Sequence, residues 1–148
     1  MSARIVDALG TWCPVPIHLI DRAARRARPG EVIELLAGLL AVPDVRLNGP
    51  REARIPGHVQ VSAGWVEGET LTLALSERGV AVSPGSACTA HAGKAAPALE
   101  AIGLEPPWTH SAVFFTLRAS TAEAEVDRAV AAFAEAVAAL RAISPLAP

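Results

Sequence analysis

The sequence predicts an α/β (α+β) fold: a small sheet with helices packed mainly on one face. Three observations carry that reading. Short apolar runs of strand length alternate with stretches of helical spacing. Hydrophobic residues make up 51% of the chain but aromatics only 4%, so the core must be aliphatic. The length, 148 residues, suffices for one domain with a real core, or for two small units sharing one.

The elements follow in order. Residues 4–9, RIVDAL, predict a strand, and Gly10-Thr11 a turn. Cys13-Pro14-Val15-Pro16 opens a helix, because proline is welcome in a first helical turn and unwelcome later. Ile17, Leu19, Ile20, Ala23, Ala24 and Ala27 give that helix an apolar face; Arg22, Arg25, Arg26 and Arg28 give it a basic one. Pro29-Gly30 ends it, and Glu31 to Leu36 predict a second strand, completing a β-α-β unit. Residues 37–58, rich in proline and glycine, predict mostly loop with a short extended piece at Val45 to Leu47. Further strands are expected at Val59 to Ala63, Val80 to Ser83 and Val113 to Leu117. Helices are expected from Gly68 to Arg78 and from Lys94 to Ile102, stopped by Gly79 and Gly103. Thr121 is the expected cap of a last helix, Glu123 to Arg141, with Val126, Val130, Phe133, Val137 and Leu140 at helical spacing.

A net charge of −2 gives no global electrostatic case for nucleic acid or an anionic membrane. No apolar run approaches the ~20 residues of a membrane span. The start, MSARIVDALG, lacks the apolar core of a secretory signal. The expectation is a cytoplasmic protein with neither membrane nor nucleic acid as a partner. Its two cysteines, far apart in the chain, read as thiols rather than a structural disulfide. His18, His58, His91 and His110 do not fall at metal-ligand spacing with them, so no metal site is expected.

Each thiol has its own context. Cys13 lies at the predicted start of a helix, where unpaired N–H groups and the positive end of the dipole stabilise a thiolate, the nucleophilic form. The bland reading is a small residue filling a turn. Cys88 sits in SPGSACTAH, a stretch of small residues able to swing a thiol between two sites, with His91 and Lys94 nearby to favour the thiolate. The bland reading there is an incidental surface cysteine.

The residues around each thiol add a resemblance. DALGTWCPVP, a predicted helix and RPGEVIELLA resemble the TusA-type sulfur-carrier family over residues 4–37. In that family the cysteine at the Cys13 position accepts a persulfide sulfur and hands it on. Residues 38–148 resemble the C-terminal small domain of NifS-like cysteine desulfurases, through LNGP, VEGE, SPGSAC, HSAVFFTL and the last helix ending in SPL. In that family the cysteine at the Cys88 position attacks the sulfur of a cysteine–pyridoxal-phosphate adduct and becomes a persulfide. The resemblances divide the chain into residues 1–37, a truncated TusA-like β-α-β unit, and residues 38–148, a desulfurase small-domain-like unit.

Departures from the desulfurase pattern matter. Phe114 stands where that family's Ser-x-x-Arg-Phe-Ser-Leu carries the arginine for the substrate carboxylate. Arg118 would lie on the same strand face but roughly 13 Å on. Pro84 replaces a usual serine. The one lysine, Lys94, does not match the family's cofactor lysine, so no cofactor is expected in this chain, with pyridoxal phosphate reached only through a partner desulfurase. The expected function is relay of persulfide sulfur on Cys88 and Cys13, from a cysteine desulfurase to a sulfur-accepting protein, with a homodimer allowed. The alternatives are a non-catalytic docking or regulatory module, a remnant without function, and a split desulfurase completed by a separate cofactor-binding chain.

Overall fold

The computed structural model describes residues 29–51, 54–55, 57–85, 97–145 and 147. The predicted strand at 4–9, the helix after Cys13 and both cysteines lie outside these residues. Four antiparallel strands form one sheet among them: β1 (Val45–Leu47), β2 (His58–Ala63), β3 (Ser83–Pro84) and β4 (Ala112–Thr116), in the order β1-β2-β4-β3. Among the described residues four helices accompany it: α1 (Pro29–Leu40), α2 (Gly68–Glu77), α3 (Pro97–Ala101) and α4 (Glu123–Ile143). This is the expected α+β class.

Strand alternation divides the sheet into two faces. Val59, Val61 and Ala63 of β2 and Val113 and Phe115 of β4 are buried toward one side. Register matches the partners, Val59 opposite Phe115 and Val61 opposite Val113. Leu35 and Leu39 of α1, Leu71 and Leu75 of α2, and Val126, Phe133 and Val137 of α4 close the same core. Phe133 is fully buried and meets Phe115 edge-on, with ring centroids 5.9 Å apart. On the other face stand His58, Gln60 and Ser62 of β2 opposite Thr116, Phe114 and Ala112 of β4. There, among the described residues, the short α3 packs through buried Leu99 against Ala112, and Ser62 is buried where it meets Asn48 and the Trp108 carbonyl.

Four local expectations are corrected. Glu31 to Leu36 is not a strand: it lies inside α1, which runs on to Leu40, through residues 37–40 where a loop was expected. A short apolar run fits both periods, and the fold decides by burying Leu35 and Leu39, four residues apart on one helical face. Pro29 opens a helix rather than closing one, since proline's fixed φ and missing N–H suit a first turn. Thr121 is not the cap of α4. Ala122 is, and its N–H donates to Glu125 Oε2 at 2.7 Å, while Thr121 Oγ1 accepts from the Arg118 N–H at 2.9 Å. Finally, β4 ends at Thr116, so Arg118 does not continue the strand face that carries Phe114.

The far end of α4 pins the loops beside β1. The Arg141 guanidinium donates to the carbonyls of Gly64 (3.0 Å), Pro43 (2.8 Å) and Asp44 (3.2 Å). Asp44 and Trp65 both hold positive φ, 52° and 68°. The Arg46 guanidinium lies 3.9 Å over the Trp108 ring, so a cation and an aromatic face cover this end.

Where α1 crosses α4 the backbone of Gly38 approaches Val130 closely. A Cβ at residue 38 would stand 2.6 Å from Val130 Cγ2. A helical valine has essentially one χ1 rotamer and cannot swing away. Gly38→Ala is therefore expected to destabilise by about 1–2 kcal/mol, overpacking outweighing the gain in helix propensity. Combining it with Val130→Ala should give a double-mutant cycle in urea unfolding with favourable coupling; additive losses would show that the crossing is loose.

Candidate functional site

The sheet edge at β3 is where the sequence leads toward Cys88. Ser83 and Pro84 pair with Phe114 and Val113 of β4, and Gly85 extends the ladder by donating its N–H to the Ala112 carbonyl at 2.8 Å. The approach is close: a Cβ at residue 85 would lie 2.5 Å from Ala112 Cβ and 3.2 Å from its carbonyl oxygen. Only glycine lets the two backbones meet at this distance. The chain is next described at α3, whose Leu99 is 2% exposed and packs on the same Ala112. Both ends of segment 86–96 therefore rest on one residue of β4.

The open face around this point is half polar. Gln60, one strand beyond β4, donates from Nε2 to the Gly85 carbonyl at 3.3 Å. Phe114 is half-buried between Gln60 and Ser83 and meets the His58 ring edge-on at 5.9 Å. Thr116 Oγ1 and His58 Nδ1 are 3.4 Å apart. Arg54 Nε donates to the His58 carbonyl at 3.2 Å, and burial pushes that guanidinium down from its usual pKa. Position 114 thus offers an aromatic ring at the centre of the face, and no cation stands in β4.

Of the residues singled out from sequence, Cys88, Cys13, His91, Lys94, Trp12 and the arginines of the first predicted helix lie outside the described residues. Phe114 is in the described site; Arg118 is half-buried on the other side of the strand's end, beside Thr121. Trp65 lines an apolar cleft of about 540 Å³ with Val66, Pro106, Pro107 and Pro145. Sequence reasoning did not find Gln60, Ala112 or Leu99. Gln60 carried a weak signal, a polar residue on the outward phase of a strand; its reach to Gly85, 25 residues away, is purely tertiary. Among the described residues no helix is long and apolar enough to cross a membrane, and no cluster of three His, Cys, Asp or Glu could hold a metal ion.

Comparison with known proteins gives this geometry a context. The family model described as aminotransferase class-V matches residues 20–130, a span that contains Cys88 and excludes Cys13. The chain is 40% identical over 112 residues to the cysteine desulfurase IscS of Vesicomyosocius okutanii, covering 76% of this chain and 27% of that protein. It is 45% identical over 112 residues to the mitochondrial cysteine desulfurase of Eremothecium gossypii, covering 76% of this chain and 22% of that protein. The chain thus spans about a quarter of the length of the curated relatives it matches. Among solved structures, a NifS-like protein superposes with TM-score 0.63 at 22% identity, over 81% of this chain and 28% of that one. The NifS-like protein of Rickettsia africae does so at 0.61 and 17%, over 72% and 27%. These two show a shared fold. The family-model match begins at residue 20, so it does not reach the TusA-like motif at Asp7 to Pro16.

The family uses pyridoxal phosphate, which is held through a lysine amine. The chain's one lysine, Lys94, falls outside the described residues. The apolar cleft beside Trp65, lined also by Glu67 and His110, has no lysine, and a smaller one of about 280 Å³ beside Arg118 and Arg128 has none either. The described residues do not supply a site that fits this cofactor.

Gly85→Ala should lower unfolding stability by about 1–3 kcal/mol, because two Cβ atoms would compete for one position. Ala112→Gly in that background should recover part of the loss, read from urea midpoints. Equal midpoints for Gly85→Ala and wild type would mean that the edge yields at no cost.

Proposed function

The chain belongs to the aminotransferase class-V family, and from that premise we propose that it is a sulfur-transfer module carrying persulfide on Cys88. The observation that carries the reading is the tether: the segment holding Cys88 leaves the sheet at Gly85 and returns at α3, both ends packed on Ala112. Cys88 is three residues past Gly85, so its Cα lies within about 11 Å of that anchor.

The exchange needs no oxidant. The Cys88 thiolate attacks the outer sulfur of a persulfide on a donor protein. A new S–S bond forms on Cys88, the donor's S–S bond breaks, and the donor leaves as a thiolate. A second thiolate then takes the outer sulfur from Cys88 in the same way. The donor in this reading is a cysteine desulfurase that holds its own pyridoxal phosphate. The final acceptor is another protein, and Cys13, in its TusA-like motif, is an intermediate stop.

Phe114 supports delivery of sulfur already in persulfide form. An aromatic ring at the centre of the open face offers no charge to a cysteine carboxylate. The same residue favours the second reading, a docking module with no sulfur chemistry.

Mass spectrometry separates the two. After incubation with a complete cysteine desulfurase, pyridoxal phosphate and cysteine, Cys88 is expected to gain roughly 32 Da, one sulfur atom. Cys88→Ser is expected to remove the gain at Cys13 as well, and Cys13→Ser to leave that at Cys88 intact. Loading of Cys13 without Cys88 would reduce the chain to a carrier of the TusA type. No gain on either cysteine, with binding to the desulfurase retained, would leave the docking reading.

A further inference from the structure

We propose that the cleft between the end of β4 and the start of α4 binds a small apolar molecule carrying one carboxylate. The proposal uses neither cysteine and stands apart from the sulfur-transfer reading. The cleft measures about 280 Å³, the liquid volume of roughly nine water molecules. Leu35, Phe115, Leu117 and Val126, all between 0% and 7% exposed, give it an apolar lining. Its charged lining residues are Arg118, Glu125 and Arg128, which together leave one positive charge.

The two guanidiniums are available to a ligand. Arg141 is engaged by three carbonyls, Arg78 by the Ala74 carbonyl and Glu135, Arg54 by the His58 carbonyl, and Arg46 by the Trp108 ring. Among the described residues neither the Arg118 nor the Arg128 guanidinium has a hydrogen-bond or ion-pair partner. Glu125, the carboxylate of the lining, is turned to the helix cap, where its Oε2 accepts the Ala122 N–H at 2.7 Å. Both arginines stand on fixed backbone. The Arg118 N–H donates to Thr121 Oγ1 at 2.9 Å and its carbonyl accepts the Thr121 N–H at 2.9 Å, closing a turn, while Arg128 belongs to α4. Arg118 is half-buried, and a cation partly withdrawn from water gains more from an arriving carboxylate than a fully solvated one does. The single excess charge favours a monoanion over a dianion or an amine, and the aliphatic lining favours an apolar body behind the carboxylate.

Benzoate is the probe, followed by amide chemical shifts in the nitrogen-15-labelled full chain. Saturable shifts are expected at residues 115–118 and 125–129. The Kd should fall below about 10 mM, the weakest that ordinary ligand efficiency gives a molecule of about nine non-hydrogen atoms. Benzamide, of the same shape without the charge, should bind about ten-fold more weakly, the scale of a hydrogen bond to a charged group. Arg118→Gln should weaken benzoate by about the same factor. Arg128→Gln, at an exposed position, should weaken it about three-fold, the scale of a screened ion pair. Urea midpoints of both variants should stay at the wild-type value, since neither guanidinium holds the fold together. The benzamide comparison is made on wild type, so it decides even if a variant folds poorly. Equal affinity for benzoate and benzamide overturns the proposal. So do benzoate affinities unchanged in both variants, shifts gathered around Trp65 instead, or a titration that does not saturate.

Discussion

The pairing of β2 with β4 is the constraint on which the rest depends. Their register sets Val59 opposite Phe115 and Val61 opposite Val113, and a shift by one residue would turn every one of these side chains to the wrong face. With the register fixed, the aliphatic side becomes the floor for α1, α2 and α4, and Phe133 finds Phe115. The same register puts Gln60, Phe114 and Ser83 in one row on the opposite face. Core and candidate site are two sides of a single strand pair.

That economy explains why Ala112 matters more than its size suggests. It is the first residue of β4, its carbonyl receives Gly85, and its methyl receives both the Gly85 backbone and Leu99. A larger side chain would push α3 away, and one at residue 85 would push β3 away. Gly85 and Ala112 are two small residues in close contact at this edge, while the heavier Arg141 and Arg46–Trp108 contacts secure the other end of the described fold. The chain invests rigidity in the frame around the sheet edge, as a site built on a scaffold requires.

The membership in a cofactor-dependent family and the composition of the described clefts pull in different directions. The chain covers about a quarter of its relatives' length, and the two clefts found among the described residues carry no lysine. What it shares with those proteins in described form is a sheet edge and the frame around it. Phe114 marks the point at which this frame departs from the resemblance, since an aromatic ring and an arginine ask for different ligands. Sulfur arriving on a protein thiol needs no carboxylate anchor, and that is the chemistry most consistent with the face as built.

The sequence by itself determined the class, the strands at residues 45–47 and 59–63, the long last helix and the glycine stops, because each rests on local periodicity or a local backbone rule. It also pointed to the segment of Cys88 through the small residues around it. Residues 31–36 were ambiguous, since EVIELL satisfies both periods, and only burial of Leu35 and Leu39 beneath α4 made it helix. The cap of α4 moved by one residue because Glu125 could reach back to Ala122, a choice between two adequate local solutions. Tertiary structure alone decided that Gly38 must be bare for Val130, that Gly85 must be bare for Ala112, and that Gln60 would reach residue 85. These are contacts between residues far apart in the chain, and periodicity along a sequence carries no information about which distant backbone will come close.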